Sequence, residues 1–84
     1  MIARPPSLGI PLTELPEQQR ARIIAIHGGR GFQHRLHVMG IMEGRIVTIV
    51  SKQPFRGPIT IRVNGTHMTL GRGMARKIIV EVIP

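Results

Sequence analysis

The 84-residue chain has no cysteine, tryptophan, tyrosine or aspartate, and its only aromatic side chains are Phe32 and Phe55. The missing cysteine excludes disulfide staples and thiolate metal sites, and fits a reducing compartment, with the cytoplasm as the default. Without Asp, Cys or Tyr, and with Ser7 and Ser51 outside any motif, no catalytic set assembles, so the chain reads as a non-enzyme. Two aromatics leave little for nucleobases to stack on. Long apolar runs are absent too. Stretches such as Ile46–Val50 fall far short of the roughly 20 residues that span a bilayer. The N-terminus carries no apolar signal region, so a soluble protein without membrane insertion is expected.

Negative charge is scarce: twelve Lys and Arg stand against four Glu, a formal charge of +8. The cations are dispersed rather than clustered, which fits either a solubilising surface or a face gathered by folding for polyanions or an acidic partner. At this length the chain forms one domain with a thin core. Residues 1–11, with Pro5, Pro6 and Pro11, read as an extended arm, and residues 12–84 as the domain. Thr13 to Gln19 carries a weak signal for one helical turn.

Ala21–His27 is apolar and β-branched and ends at Gly28-Gly29, which predicts a first strand and a turn. Phe32, Leu36 and Met39 then recur at one-turn spacing, predicting a short helix with His34, Arg35 and His37 away from its apolar centre. Gly40 closes that helix, Ile41 follows as core, and Gly44 opens the strand Arg45–Ser51. Residues 52–58, KQPFRGP, form a loop. Ile59–Val63 alternates cleanly, and Asn64-Gly65 predicts a tight hairpin into Thr66–Leu70. Residues 71–77 read as a single helical turn carrying Ala75 inward, before a closing strand from Ile78. Five short strands with one helix between the first two predict a mainly β, strongly bent small barrel, because closure hides sheet edges.

Arg35-Leu36, Met39-Gly40-Ile41, Gly44, Gly57-Pro58-Ile59, Leu70, Ala75, Ile78 and Val80 together resemble the ferrous iron transport protein A family, FeoA. The resemblance spans about Leu12 to Val82 and implies an SH3-like barrel. Leu36, Met39, Ile41, Leu70 and Ala75 are then structural core, Gly40 and Gly44 corners, and Gly57-Pro58 a way into the next strand. The chain departs from the usual pattern at Glu43, Gln18-Gln19, Gly71 and Gly73, and the last two are expected to loosen the final helical turn. The resemblance also implies an accessory of the membrane ferrous iron transporter, the FeoB-like protein with a pore and a cytoplasmic nucleotide-binding domain. Docking on that cytosolic part requires no cofactor.

Candidate partner-binding residues are Arg35, Met42, Phe55 and Arg56. Phe55 at a loop tip beside Arg56 has the composition of an interface anchor, and folding back over a barrel end is its alternative. The four histidines are the only strong transition-metal ligands, for ferrous iron or adventitious zinc. His34 and His37 are the candidate pair, short of a full set. The segment HGGRG, 27–31, offers either an anion nest or a tight strand-to-helix connection. A basic RNA-binding barrel is the alternative function, with nucleic acid disfavoured by the lack of aromatics. Homo-oligomerisation stays open.

Overall fold

The computed structural model describes residues 9–84. Strand Ile10–Pro11 (β1) leads into one 3₁₀ turn at Leu12–Glu14, and Arg20–Ile26 (β2) precedes helix Arg30–Val38 (α1). Ile46–Lys52 (β3), Ile59–Val63 (β4) and Thr66–Leu70 (β5) follow, and the short helix Arg72–Ala75 (α2) delivers the chain into Ile78–Val82 (β6). Six antiparallel strands form one sheet in the order β1-β6-β2-β3-β4-β5. The expected count of five omitted β1, because two residues beside prolines carry no periodicity. The helix therefore joins the second and third strands. Ile10 pairs with Val80 and Pro11 with Ile79. The remainder of the expected arm, residues 1–8, lies outside the described residues.

The sheet curls around one apolar core. Ala21, Ile23, Val47, Ile49, Ile61 and Val80 from its central strands are buried together with Leu12, Leu15, Leu36 and Ala75 from the connections. Strict alternation would bury Ala25, but a register shift between Ile23 and Ala25 changes the phase and buries Ile26 instead. A second shift, between Ile49 and Ser51, bends β3. Carbonyls near that bend are taken by Gln18, whose backbone N–H donates to Ile49 O at 2.7 Å and whose Nε2 donates to Val50 O at 3.1 Å. The 3₁₀ turn and α2 pack against each other. Val82 shares the inward face of Ile78 and Val80, yet is exposed at the end of β6.

The end of α1 is built as a Schellman motif. Gly40, at φ +92°, donates its N–H to His37 O at 2.9 Å, and the Ile41 N–H reaches back to Leu36 O at 2.9 Å. That closure brings Ile41 into the core against Leu36, both fully buried. Met39, expected beside them, is 37% exposed, because Ile41 takes the position under the helix end. Gly44 also has positive φ, and its N–H donates to Ile23 O at 2.7 Å, tying the corner to β2. The Arg72–Ala75 turn is complete despite Gly71 and Gly73, with Met74 and Ala75 both donating to Gly71 O.

Two glycines with equal room for a side chain are expected to respond oppositely to alanine. Neither Gly40 nor Gly73 would bring a Cβ within 4 Å of a neighbour, and only Gly40 has positive φ. Urea denaturation should show Gly73→Ala gaining up to about 1 kcal/mol and Gly40→Ala losing at least about 1 kcal/mol.

Candidate partner-docking surface

The candidate partner residues fall at opposite ends of β3. Arg35 is exposed on α1 and Met42 is half-buried in the corner before β3, whereas Phe55 and Arg56 follow its far end. Seven residues of strand separate the two places by about 20 Å. At the first end, the exposed Val38 and Met39 lie on the chain beside Met42, and a 3.3 Å contact between His37 Nε2 and Glu43 Oε1 ties α1 to the corner. Arg45 Nη1 donates to Asn64 Oδ1 at 3.3 Å, so the β4–β5 turn borders the same end.

At the second end, β3 and β4 form a hairpin. Gln53 N–H donates to Pro58 O and Gly57 N–H to Pro54 O, each at 3.1 Å, which makes Phe55 and Arg56 the central pair of a tight turn. Their φ values are +57° and +63°, close to the +55° and +75° of Asn64 and Gly65 in the next hairpin. Both turns have positive φ at their two central residues, as primed hairpin turns do. Asn-Gly fits such a turn without strain; Phe-Arg carries a Cβ penalty of about 1 kcal/mol or more per residue.

The neighbouring atoms impose this conformation. A Cβ on Gly57 would stand 2.6 Å from Gln53 Cβ and 3.2 Å from Pro54 O, so the neck of the hairpin closes only over glycine. Arg72 Nε donates to Gly57 O at 3.0 Å, anchoring the hairpin to α2. Below it, Lys52 Nζ donates to Thr13 O at 2.9 Å, and Glu17 Oε2 accepts the Lys52 N–H at 2.8 Å. The result is an aromatic ring held in water, with Phe55 98% exposed. It does not fold over the barrel end.

The histidines take separate positions. His34 is exposed on α1, His67 is exposed on β5, and His37 pairs with Glu43. Among the described residues no three His, Asp or Glu side chains gather. The His37–Glu43 pair offers two donors, short of the four of a closed tetrahedral site, so a resident structural metal does not fit. The 27–31 glycine segment forms a close connection: a Cβ on Gly28 would meet Phe32 Cδ2 at 2.8 Å, and Gln33 Nε2 donates to Gly28 O at 2.9 Å. Phe32 is partly buried and carries Lys77 Nζ 4.8 Å from its ring centroid. No helix among the described residues is long and apolar enough to cross a membrane.

Sequence reasoning missed two features of this surface. Val38 is 74% exposed, and only the helix end placed at Gly40 shows that it points away from the core. The strained turn was signalled weakly by Pro-Phe-Arg-Gly-Pro, where glycine sits at the neck rather than at a central position.

Residues 10–82 match the FeoA domain family. A Fe(2+) transport protein A/Fe(2+) transporter FeoB fusion protein of Porphyromonas gingivalis is 35% identical over 72 residues, which are 86% of this chain and 8% of the fusion protein. The putative Fe(2+) transport protein A of Methanocaldococcus jannaschii is also 35% identical, over 84% of each chain. The crystal structure of Stenotrophomonas maltophilia FeoA complexed with zinc, a prokaryotic SH3 domain protein, superposes with a TM-score of 0.71. It shares 27% identity, over 83% of this chain and 87% of the other. The curled six-stranded sheet is accordingly an SH3-like barrel.

Replacing the strained pair with the residues its geometry favours should relieve the turn. The double variant Phe55→Asn, Arg56→Gly is expected to be more stable than the natural sequence by about 1 to 2 kcal/mol in urea denaturation.

Proposed function

The chain belongs to the FeoA domain family, and from that premise we propose that it is a cytoplasmic, non-enzymatic accessory of ferrous iron transport that docks on the cytosolic part of the membrane transporter. The observation that carries this reading is the fused relative, in which the matching domain and the FeoB transporter are one polypeptide. A tether raises the effective concentration of two modules and is useful when they work in contact. The P. gingivalis protein is a natural instance of such a tether.

Phe55 supports the reading from the side of energetics. An exposed ring gains most of its burial energy only on contact with another surface, and a residue whose backbone is already fixed in a closed turn loses little backbone entropy when it docks. Arg56 beside it adds a cation suited to carboxylates. Arg35 and Met42, about 20 Å away along β3, fall within reach of the same partner, because a standard interface covers roughly 800 Å² on each side. The outer face of β4 and β5 pairs Arg62 with His67 and Thr60 with Thr69, with no Phe, Tyr or Trp among them. That composition disfavours RNA, whose bases need stacking surfaces.

A second reading follows from the His37–Glu43 pair, which supplies one imidazole and one carboxylate at 3.3 Å. These suit weak, exchangeable binding of a divalent transition metal by two donors. The relative from S. maltophilia was solved with zinc.

Docking is checked by calorimetry or retention on the immobilised cytosolic domain of the partner transporter. Phe55→Ala should weaken binding about tenfold or more, equivalent to about 1.4 kcal/mol, as truncation of an interface anchor does. Unchanged affinity would remove Phe55 from the interface, and no retention by the natural protein at any salt concentration would overturn docking. Anaerobic titration with ferrous iron tests the second reading, where His37→Ala should abolish the heat of binding and equal heats would reject the site.

A further inference from the structure

Arg56, Arg72 and Arg76 line one cleft together with Thr13, and its volume is about 290 Å³. The arginines come from two elements that their own bonds bring together. Arg56 stands in the β3–β4 hairpin, while Arg72 and Arg76 lie one turn apart at α2 and its cap. The bond from Arg72 Nε to Gly57 O fixes the two elements side by side, and among the described residues the terminal amino groups of Arg72 have no partner. Among the described residues, no carboxylate pairs with any of the three; the one arginine–carboxylate pair is Arg22–Glu81. Among the described residues, none that is acidic lines the cleft.

We propose that this cleft binds a multiply charged phosphate, either inorganic or carried as the phosphoryl group of a small molecule. Three permanent cations repel one another, and their convergence without a counter-charge costs free energy that an anion recovers. Charge matching selects the class. A carboxylate brings a single charge, whereas a phosphate monoester carries about −1.5 to −2 near neutrality and three terminal acceptor oxygens. Guanidinium groups meet such oxygens in bidentate pairs. The volume exceeds that of one phosphate group and lies just below the usual range for small-molecule sites, leaving space for a small substituent. Docking through Phe55 is a separate matter: the ring is wholly exposed and lines no part of the cleft.

The test uses the full chain, with pyrophosphate, phenyl phosphate and acetate as probes at about 0.15 M salt. Saturable one-to-one binding of pyrophosphate or phenyl phosphate is expected by calorimetry, with amide shifts in nuclear magnetic resonance spectra concentrated at residues 55–57 and 72–76. Tighter pyrophosphate would assign inorganic phosphate, and tighter phenyl phosphate a phosphorylated small molecule; either supports the proposal. Arg76→Gln, at an exposed helix cap, should weaken binding at least tenfold. Arg62→Gln, exposed on β4, removes the same charge elsewhere and should change it less than about twofold. Equal losses in both variants would mean diffuse attraction to a basic protein and would overturn the site. So would acetate binding as tightly as the phosphates, or amide shifts scattered over the surface without saturation.

Discussion

Everything in this protein depends on bending one narrow sheet far enough to enclose its own apolar face. The two helices bury only Leu36 and Ala75, so the inward side chains of the central strands must meet one another across the interior. Two register shifts make this geometry available. The one in β2 turns Ile26 inward in place of Ala25, and the one in β3 bends the strand where Gln18 takes its carbonyls. The break in β3 is offset by the hydrogen bonds that Gln18 donates to Ile49 O and Val50 O.

Connections in so small a barrel cannot be spacers. The α1 helix contributes one fully buried side chain, Leu36, and its Schellman closure supplies a second through Ile41. The α2 turn contributes Ala75 and also anchors the β3–β4 hairpin through Arg72. The same residues that finish the core therefore decide which side chains are held at the surface. Phe55 is outside because its hairpin closes tightly over Gly57 and leaves the ring 98% exposed at the tip. The arginine cleft exists because α2 is pinned against that hairpin.

Strain and charge coincide at this end of the molecule. A turn that favours Asn-Gly carries Phe-Arg, and three arginines converge without an acid to balance them. Each arrangement costs stability in the isolated chain. The surrounding bonds, from Gln53, Gly57, Arg72 and Lys52, hold the arrangement against that cost. The opposite end, around Val38, Met39 and the His37–Glu43 pair, is apolar and mildly charged. The two ends of β3 thus differ in chemistry while belonging to a single strand.

Much of the fold was legible in the residues themselves because its signals are local. Alternation in Ile59–Val63, Asn-Gly at 64–65, and the spacing of Leu36, Gly40 and Ile41 each specify backbone conformation within a few residues. The family was legible for the same reason, since its motif is a set of corners and core positions. Tertiary structure alone decided what depends on contacts distant in sequence. It paired Ile10–Pro11 with β6, let Ile41 displace Met39 from the core, separated Arg35 and Met42 from Phe55 and Arg56, and gathered Arg56 with Arg72 and Arg76. Periodicity reports which side of its own strand or helix a residue occupies. Which surfaces then meet is settled by how the sheet bends and by the bonds that pin its connections.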